Sequence, residues 1–191
     1  MKLLIRGGSI SSGHGVSRSY VDILRDRYAP GGLEIINRSR AKETSFDGVT
    51  SFYEDIDPFS PEFLMLHFGI DDAFSGVYRS EFKENFVRMI RLAMARFYPV
   101  ILLASSHPFE SEEDMAAVNI YYRTMREVAE DLYCEMIFVH VYWAGYLLGN
   151  RFHHRNFVQK DERYPNERGH EIFAEAILQR LNRILPLEVS P

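Results

Sequence analysis

Short apolar runs alternate with longer amphipathic stretches along most of this chain. The apolar runs end at glycine or proline, a pattern typical of buried parallel strands. They predict strands at residues 2–6, 33–36, 62–68, 100–104 and 136–141. Between them, apolar residues recur every three or four positions, as on the buried face of a helix. This spacing predicts helices at residues 17–28, 80–97, 112–132 and 166–184.

The alternation of strands and helices indicates the fold class. A helix between successive strands brings those strands into parallel pairing through right-handed crossovers. We therefore expect an α/β fold built as a three-layer α/β/α sandwich. A length of 191 residues suits one such unit, so we predict a single domain over residues 1–191.

Composition and charge narrow the classes of partner. Lys and Arg number 22 against 27 Asp and Glu, and the net charge of −5 argues against binding to nucleic acid or to an anionic membrane. The longest uncharged run, residues 136–150, is shorter than the roughly 20 apolar residues of a membrane-spanning helix. The N-terminus lacks the hydrophobic stretch of a secretory signal, and the single Cys134 excludes an intramolecular disulfide. We expect a cytoplasmic protein, and the oligomeric state stays open.

Candidate chemistry lies in four loops, because open parallel sheets collect functional groups at the carboxyl ends of their strands. Ser9 follows the first strand in a glycine- and serine-rich loop. The pair Asp71-Asp72 follows the third strand, and Pro165-Asn166 precedes the last helix. The four loops are residues 7–15, 37–44, 69–72 and 161–170.

Together these loops resemble those of the SGNH (GDSL-like) hydrolase superfamily. Its members carry Gly-Asp-Ser after the first strand, a glycine loop after the second, Gly-x-Asn-Asp after the third and Asp-x-x-His-Pro-Asn before the last helix. The order and spacing match over nearly the whole chain. The resemblance implies a flavodoxin-like sheet of five parallel strands in the order 2-1-3-4-5, and hydrolysis of a small-molecule or glycan ester by a serine nucleophile.

By position, the resemblance implies Ser9 as the nucleophile and Asp161 as the carboxylate that orients the base. Tyr164 stands where the family has its catalytic histidine. A phenol with an ordinary pKa of about 10 stays protonated near neutral pH and does not remove a serine proton as imidazole does. The usual triad therefore does not transfer to this chain unchanged.

Three further positions depart from the family motifs. Gly8 replaces the aspartate of Gly-Asp-Ser, Lys42 replaces the oxyanion glycine, and Asp71 replaces the oxyanion asparagine. The implied oxyanion site is thus formed by Ser9, Lys42 and Asp71. The backbone N–H survives at Lys42, provided that its conformation is reachable without glycine. A carboxylate at Asp71 repels a developing oxyanion unless it is protonated, so Asp71→Asn is expected to return a donor typically worth about 10²–10³ in rate.

A serine without the family histidine needs another base. We prefer the adjacent His153 and His154, above all His154, in a polar loop, residues 150–160, that is expected to fold over the site. His14 shares the loop of the nucleophile, and His107 follows the fourth strand. His170, in the last helix, is expected to have a structural role.

Other kinds of site have weaker support. The histidines and carboxylates form no recognised metal-ligand spacing, and residues 7–15 do not complete a nucleotide-binding glycine motif, so we predict neither a metal nor another cofactor. We interpret the aromatic residues between 142 and 157 as packing, with a platform for a sugar or acyl chain as the alternative.

Two functional hypotheses follow from these observations. The first is an SGNH-like serine esterase or deacylase that acts on a small or carbohydrate-linked ester with a non-standard base. The second is a non-hydrolytic relative whose cleft binds a glycan, an acyl ligand or a protein partner. A histidine nitrogen within about 3.2 Å of Ser9 Oγ is the geometry that favours catalysis.

Overall fold

The computed structural model describes residues 1–185 of the chain, and its central element is a five-stranded parallel sheet. The strand order is β2-β1-β3-β4-β5. Both the predicted fold class and the predicted order are confirmed. The strands are β1 Lys2–Gly7, β2 Glu34–Asn37, β3 Phe63–His67, β4 Val100–Ala104 and β5 Glu135–Ile137.

The helices form two groups that sandwich the sheet. Helices α2, α8 and α9 pack together, and α6 packs against both α3 and α7. Right-handed crossovers place the two groups on opposite faces, because the strand order reverses at β1. The helices are α1 Ser9–Ser12, α2 Tyr20–Tyr28, α3 Ser45–Thr50, α4 Phe52–Asp55, α5 Ile70–Ser75, α6 Arg79–Arg96, α7 Glu112–Asp131, α8 Val139–Asn150 and α9 Glu167–Ile184.

Local sequence explains where the longer helices begin. Ser19 caps α2, since its hydroxyl accepts a hydrogen bond from the N–H of Asp22 while the Asp22 carboxylate accepts from the N–H of Ser19. Asn166 caps α9 by accepting from the N–H of Gly169. Both caps lie next to loops at the carboxyl edge of the sheet and thereby determine where those loops end.

The fifth strand differs from the prediction. A strand was expected over residues 136–141, but β5 ends at Ile137 and α8 begins at Val139. A short apolar run fits a buried strand and a buried helix equally well, so periodicity does not separate them. Tertiary contacts favour the helix: Trp143 is fully buried, and the Nδ1 atom of His140 lies 2.7 Å from Ser105 Oγ at the end of β4.

Two expectations about the whole chain concern its extent and its location. The predicted single domain includes residues 186–191, which lie outside the described residues. Among residues 1–185, none of the helices combines the length and the apolar character needed to cross a bilayer. The cytoplasmic location stays a prediction.

Candidate active site

Ser9 lies just beyond β1 and is held by the loop after β2 and by the first turn of α5. Its N–H donates to Asp71 Oδ2 at 2.7 Å and its hydroxyl donates to Asp71 Oδ1 at 2.8 Å. The backbone N–H of Lys42 donates to Ser9 Oγ at 2.8 Å. The parallel pairing of β1 with β2 and β3 brings these three residues to one edge of the sheet. The structure thus places together the three positions of the implied oxyanion site.

Lys42 keeps the N–H that the family glycine supplies, in a conformation that favours glycine. Its φ of 65° lies in the left-handed region, which costs a non-glycine residue about 1–2 kcal/mol. The lysine side chain is exposed, so it makes no packing contact that would offset this cost. The cost is therefore met by other contacts of the loop that contains it.

A buried carboxylate, Asp55, fastens that loop to the body of the protein. Arg40 donates to both oxygens of Asp55 at 2.6 and 2.7 Å, and Arg38 donates to Oδ1 at 2.8 Å. The fully buried Arg6 lies 3.4 Å from Asp55 and 2.5 Å from Glu43. Burial alone would raise the pKa of Asp55, but the hydrogen bonds from Arg40 and from other neighbouring groups hold it below its usual range. This arginine–carboxylate network spans both sides of Lys42 and stabilises its backbone.

Gly8 and Asp71 fit each other. A Cβ atom placed on Gly8 would lie 2.1 Å from Asp71 Oδ2 and 2.5 Å from the carbonyl oxygen of Glu43. Any residue other than glycine would therefore collide with the carboxylate that holds Ser9. The two departures from the family motif are coupled, and their joint occurrence in the sequence was the signal that could have revealed this contact.

The two adjacent aspartates have different environments. Burial raises the pKa of Asp71, whereas hydrogen bonds from Ser9 and the nearby charges of His14 and Arg163 act in the opposite direction. Asp72 is fully buried and accepts hydrogen bonds from the N–H and hydroxyl of Ser45 and from the N–H of Gly69. Burial raises the pKa of Asp72 to about 6. Asp72 thus ties α5 to α3, and of the two aspartates only Asp71 reaches Ser9.

The loop before α9 does not form the family's base relay. The Asp161 carboxylate accepts hydrogen bonds from the guanidinium of Arg163, which hold its pKa below the usual range. The half-buried Tyr164 ring stacks edge-on against His14, with ring centroids 4.8 Å apart. Within the described part of the chain, no histidine nitrogen forms a hydrogen bond with Ser9 Oγ. A carboxylate, not an imidazole, accompanies the serine.

Four histidines, including the expected alternative base, are buried together beside Phe173. The sequence predicted that the polar loop around His154 folds over Ser9, but the structure buries His154 away from Ser9, and its Nδ1 accepts from the indole N–H of Trp143 at 3.2 Å. Its ring stacks on His107 at 5.9 Å. We call this set the histidine cluster; its members are His67, His107, His154 and His170.

Burial disfavours the charged form of every member of the histidine cluster and lowers the pKa of His154 as well. Burial lowers the pKa of His67 and of His107 to about 3 and that of His170 to about 4. The N–H of Tyr20 donates to His170 Nδ1 at 3.1 Å, which agrees with the structural role expected for this residue. Trp143 packs against His107 and Phe173, so the aromatic residues near it contribute to the core.

A cleft of about 260 Å³ opens beside Asp71. Its wall combines the side chains of Phe74 and Tyr164 with the cations of Lys42 and Arg163. The Arg163 guanidinium lies 5.3 Å from the centre of the Phe74 ring. Ser9 is fully buried behind this wall. No three His, Cys, Asp or Glu side chains within residues 1–185 converge in a metal-binding arrangement.

Comparison with known proteins identifies solved structures that have the same fold and a family whose model matches this chain. Sequence comparison with curated proteins finds no match. Among solved structures, LAE5, an alpha/beta hydrolase enzyme from the metagenome of Lake Arreo, superposes with a TM-score of 0.83 at 20% identity, covering 96% of each chain. A catalytic mutant of Axe2, an acetylxylan esterase from Geobacillus stearothermophilus, gives 0.81 at 19% identity over 94% of this chain and 93% of that one. TesA gives 0.82 at 21% identity over 97% of this chain and 100% of that one.

These structural likenesses, at identities near 20%, concern the fold. The family assignment rests on the sequence, because the model of the GDSL-like Lipase/Acylhydrolase family matches residues 6–172, most of the chain. The match includes Ser9, Lys42, Asp71 and the loop of Asp161 and Tyr164. The resemblance to SGNH hydrolases is thereby confirmed, and this chain belongs to the GDSL-like lipase/acylhydrolase family.

Proposed function

We propose that this protein is a serine ester hydrolase that removes a small acyl group, such as acetyl, from an alcohol or sugar. The observation that carries the proposal is the setting of Ser9 Oγ, which lies 2.8 Å from both the Lys42 N–H and the Asp71 carboxylate. One neighbour donates a hydrogen bond and the other accepts one. A hydroxyl between a donor and a proton acceptor is what acyl transfer requires.

In this mechanism, Ser9 Oγ attacks the carbonyl carbon of the ester. The Lys42 N–H, which already points at Ser9 Oγ, would donate to the carbonyl oxygen, where negative charge develops. A preorganised backbone donor of this kind is typically worth about 10²–10³ in rate. Its position depends on the left-handed backbone at Lys42, which the arginine–carboxylate network stabilises.

The cleft favours a compact substrate. A volume of about 260 Å³ suits a short acyl group and one sugar unit better than a long acyl chain. The Phe74 and Tyr164 rings offer apolar surface for the face of a sugar. The structural similarity to Axe2, an acetylxylan esterase, supports an acetylated carbohydrate as the first substrate to test.

The test compares turnover by the wild type, Ser9→Ala and the matched control Ser17→Ala. Ser17 lies between α1 and α2, where it is exposed, and its hydroxyl contacts Glu167. We expect hydrolysis of p-nitrophenyl acetate and acetylated xylooligosaccharides by the wild type and by Ser17→Ala, and at least a 100-fold loss in Ser9→Ala. A fluorophosphonate should label the wild type on the peptide that contains Ser9. Equal rates for Ser9→Ala and the wild type would refute the proposal.

A binding role without hydrolysis is the second candidate, and the full burial of Ser9 favours it. An ester reaches Oγ only if Lys42 or Asp71 moves away from the serine. If the wild type hydrolyses neither substrate while acetylated xylooligosaccharides bind equally to the wild type and Ser9→Ala in calorimetry, the cleft is a binding site.

A further inference from the structure

Asp71 accepts the hydrogen bond of the Ser9 hydroxyl, as a histidine does in a serine hydrolase triad. Its Oδ1 accepts the Ser9 hydroxyl proton at 2.8 Å, and its Oδ2 accepts the Ser9 N–H at 2.7 Å. The second hydrogen bond orients the carboxylate, so the first is not an incidental contact. Proton transfer requires a base within about 2.6–3.2 Å of the donor atom, and Asp71 meets this condition in the structure as it stands.

We propose that Asp71 is the general base that deprotonates Ser9, so that nucleophile and base form a Ser9–Asp71 dyad. This inference rests on the proposed esterase function and specifies its proton acceptor. In this dyad Asp71 takes the role of the missing histidine. Judged by the family motif alone, Asp71 would be only a poor replacement for the oxyanion asparagine.

Asp71 alone can accept and return every proton that the reaction moves. As Ser9 Oγ bonds to the carbonyl carbon, its proton moves to Asp71, and the carbonyl oxygen becomes the oxyanion. When the carbon–oxygen ester bond breaks, Asp71 returns the proton to the leaving alcohol oxygen. A water molecule then gives a proton to Asp71 as it attacks the acyl-enzyme, and Asp71 returns that proton to Ser9 Oγ as the carboxylic acid leaves.

The same transfer removes the electrostatic objection to a carboxylate at this position. An ionised Asp71 would repel the oxyanion, but the oxyanion forms only as Asp71 takes up the proton and becomes neutral. The protonated carboxyl is itself a hydrogen-bond donor. Lys42 N–H and protonated Asp71 together then replace the glycine and asparagine donors of the family motif.

Two features of the chain agree with this role. Burial raises the pKa of Asp71, which makes it a stronger base than an exposed carboxylate. Gly8 leaves open the space that Asp71 Oδ2 occupies, since a Cβ at Gly8 would lie 2.1 Å from that oxygen. An aspartate at position 8, as in the family motif, would leave no room for the Asp71 carboxylate that holds Ser9.

His14 is the rival base. It is exposed, stacks on Tyr164 and lies close enough to Asp71 and Asp161 for its charge to lower both pKa values. Arg163 lowers the pKa of Asp71 in the same direction, and Lys42 lines the cleft beside it. The pH dependence of the reaction therefore has two candidate groups, a carboxylate and an imidazole, and substitution separates them.

The experiment measures kcat/KM for p-nitrophenyl acetate against pH in the wild type, Asp71→Asn and His14→Gln. The dyad predicts at least a 100-fold loss in Asp71→Asn, with an unchanged circular dichroism spectrum, because a general base typically contributes about 10²–10⁴ in rate. It also predicts that the acid limb of the wild-type profile persists in His14→Gln. If Asp71 were only a poor substitute for the family asparagine, Asp71→Asn would instead gain activity.

Retained or increased activity in Asp71→Asn overturns the dyad, and so does loss of the acid limb in His14→Gln. If Asp71→Asn does not fold, the His14→Gln profile decides alone. Failure of the dyad is distinguishable from failure of the esterase proposal. An inactive Ser9→Ala with an active Asp71→Asn removes only the dyad, whereas a fully active Ser9→Ala removes both.

Discussion

The most demanding prediction concerns Asp55, which lies outside the cleft and contacts no residue of the Ser9–Asp71 dyad. Replacement by asparagine keeps the shape of the side chain and removes its charge. The side chain then no longer neutralises Arg6, and Arg38 and Arg40 keep only one neutral acceptor oxygen in place of the two charged oxygens that fasten their loop. We expect both lower stability and weaker catalysis from this one substitution.

The expected loss of stability depends on how exposed the three arginines are. Breaking a buried ion pair by removing one partner typically costs about 3–5 kcal/mol. Arg38 and Arg40 are partly exposed and regain water, while Arg6 keeps Glu43 and Ser51 as partners. The expected loss is therefore at the lower end, about 3 kcal/mol. At about 2–4 °C per kcal/mol for a chain of this size, the melting temperature should fall by about 6–12 °C.

The assay pairs urea unfolding with kcat/KM of the folded protein at a temperature well below the transition. A loosened loop misplaces the Lys42 N–H, so activity should fall by about tenfold, a fraction of the 10²–10³ that one donor contributes. The control is Asp26→Asn, which breaks an exposed pair with Arg18 and should cost less than about 1 kcal/mol. If Asp55→Asn matched this control in stability, the network would not be what holds the loop.

Three further predictions test the site and the core. Gly8→Ala should lower stability by about 1–3 kcal/mol and abolish ester hydrolysis, because its Cβ displaces Asp71; wild-type rates in this variant would contradict the fit of these two residues. Lys42→Gly, which keeps the N–H and suits a φ of 65°, should stay within about 1 kcal/mol of the wild type in urea unfolding. Lys42→Pro lacks the donor, and its ring also forbids a φ of 65°, so kcat/KM should fall by at least the roughly 10²–10³ that one donor contributes; a Lys42→Pro variant as active as Lys42→Gly would exclude the N–H from catalysis. The neutral histidine cluster should make stability fall as the pH drops from about 6.5 toward 4, because only the unfolded chain takes up protons there, at about 1.4 kcal/mol per histidine per pH unit. Asp72, with its pKa raised to about 6, and Asp71, whose pKa burial also raises, oppose this effect but are outnumbered by the histidines, so a melting temperature that does not fall between pH 7 and pH 5 would show that the histidines are not held neutral.

The order of the elements was available from the sequence, and so was Ser9 as the proposed nucleophile. Four of the five strands and all four helices predicted from periodicity occur close to their expected positions. This agreement has a physical basis: burial imposes a period of two or a short apolar run on strands and a period of 3.6 on helices. The same reasoning fails for β5 and α8, where a uniformly apolar run carries no period.

The tertiary structure decided which histidines are buried and which groups they contact. His154 has a polar local sequence, Arg151 to Asn156, that suggests an exposed loop, but its ring packs on His107 beneath Trp143. Local composition does not report which side chains a long-range contact will cover. The arginine–carboxylate network was not predictable from the sequence for the same reason. Its members Arg6 and Asp55 are 49 positions apart, so only the fold brings them together.

For the site, the sequence by itself determined which residue types are present: a serine after the first strand, an aspartate in place of asparagine, and a tyrosine in place of histidine. Only the tertiary structure decided what these residues do to one another. It joined Asp71 to Ser9 through two hydrogen bonds, gave Lys42 a glycine-like backbone, and paired Asp161 with Arg163. A side chain's chemistry follows from its covalent structure, but its role as base, donor or ion-pair partner depends on which groups the fold brings within about 3 Å of it.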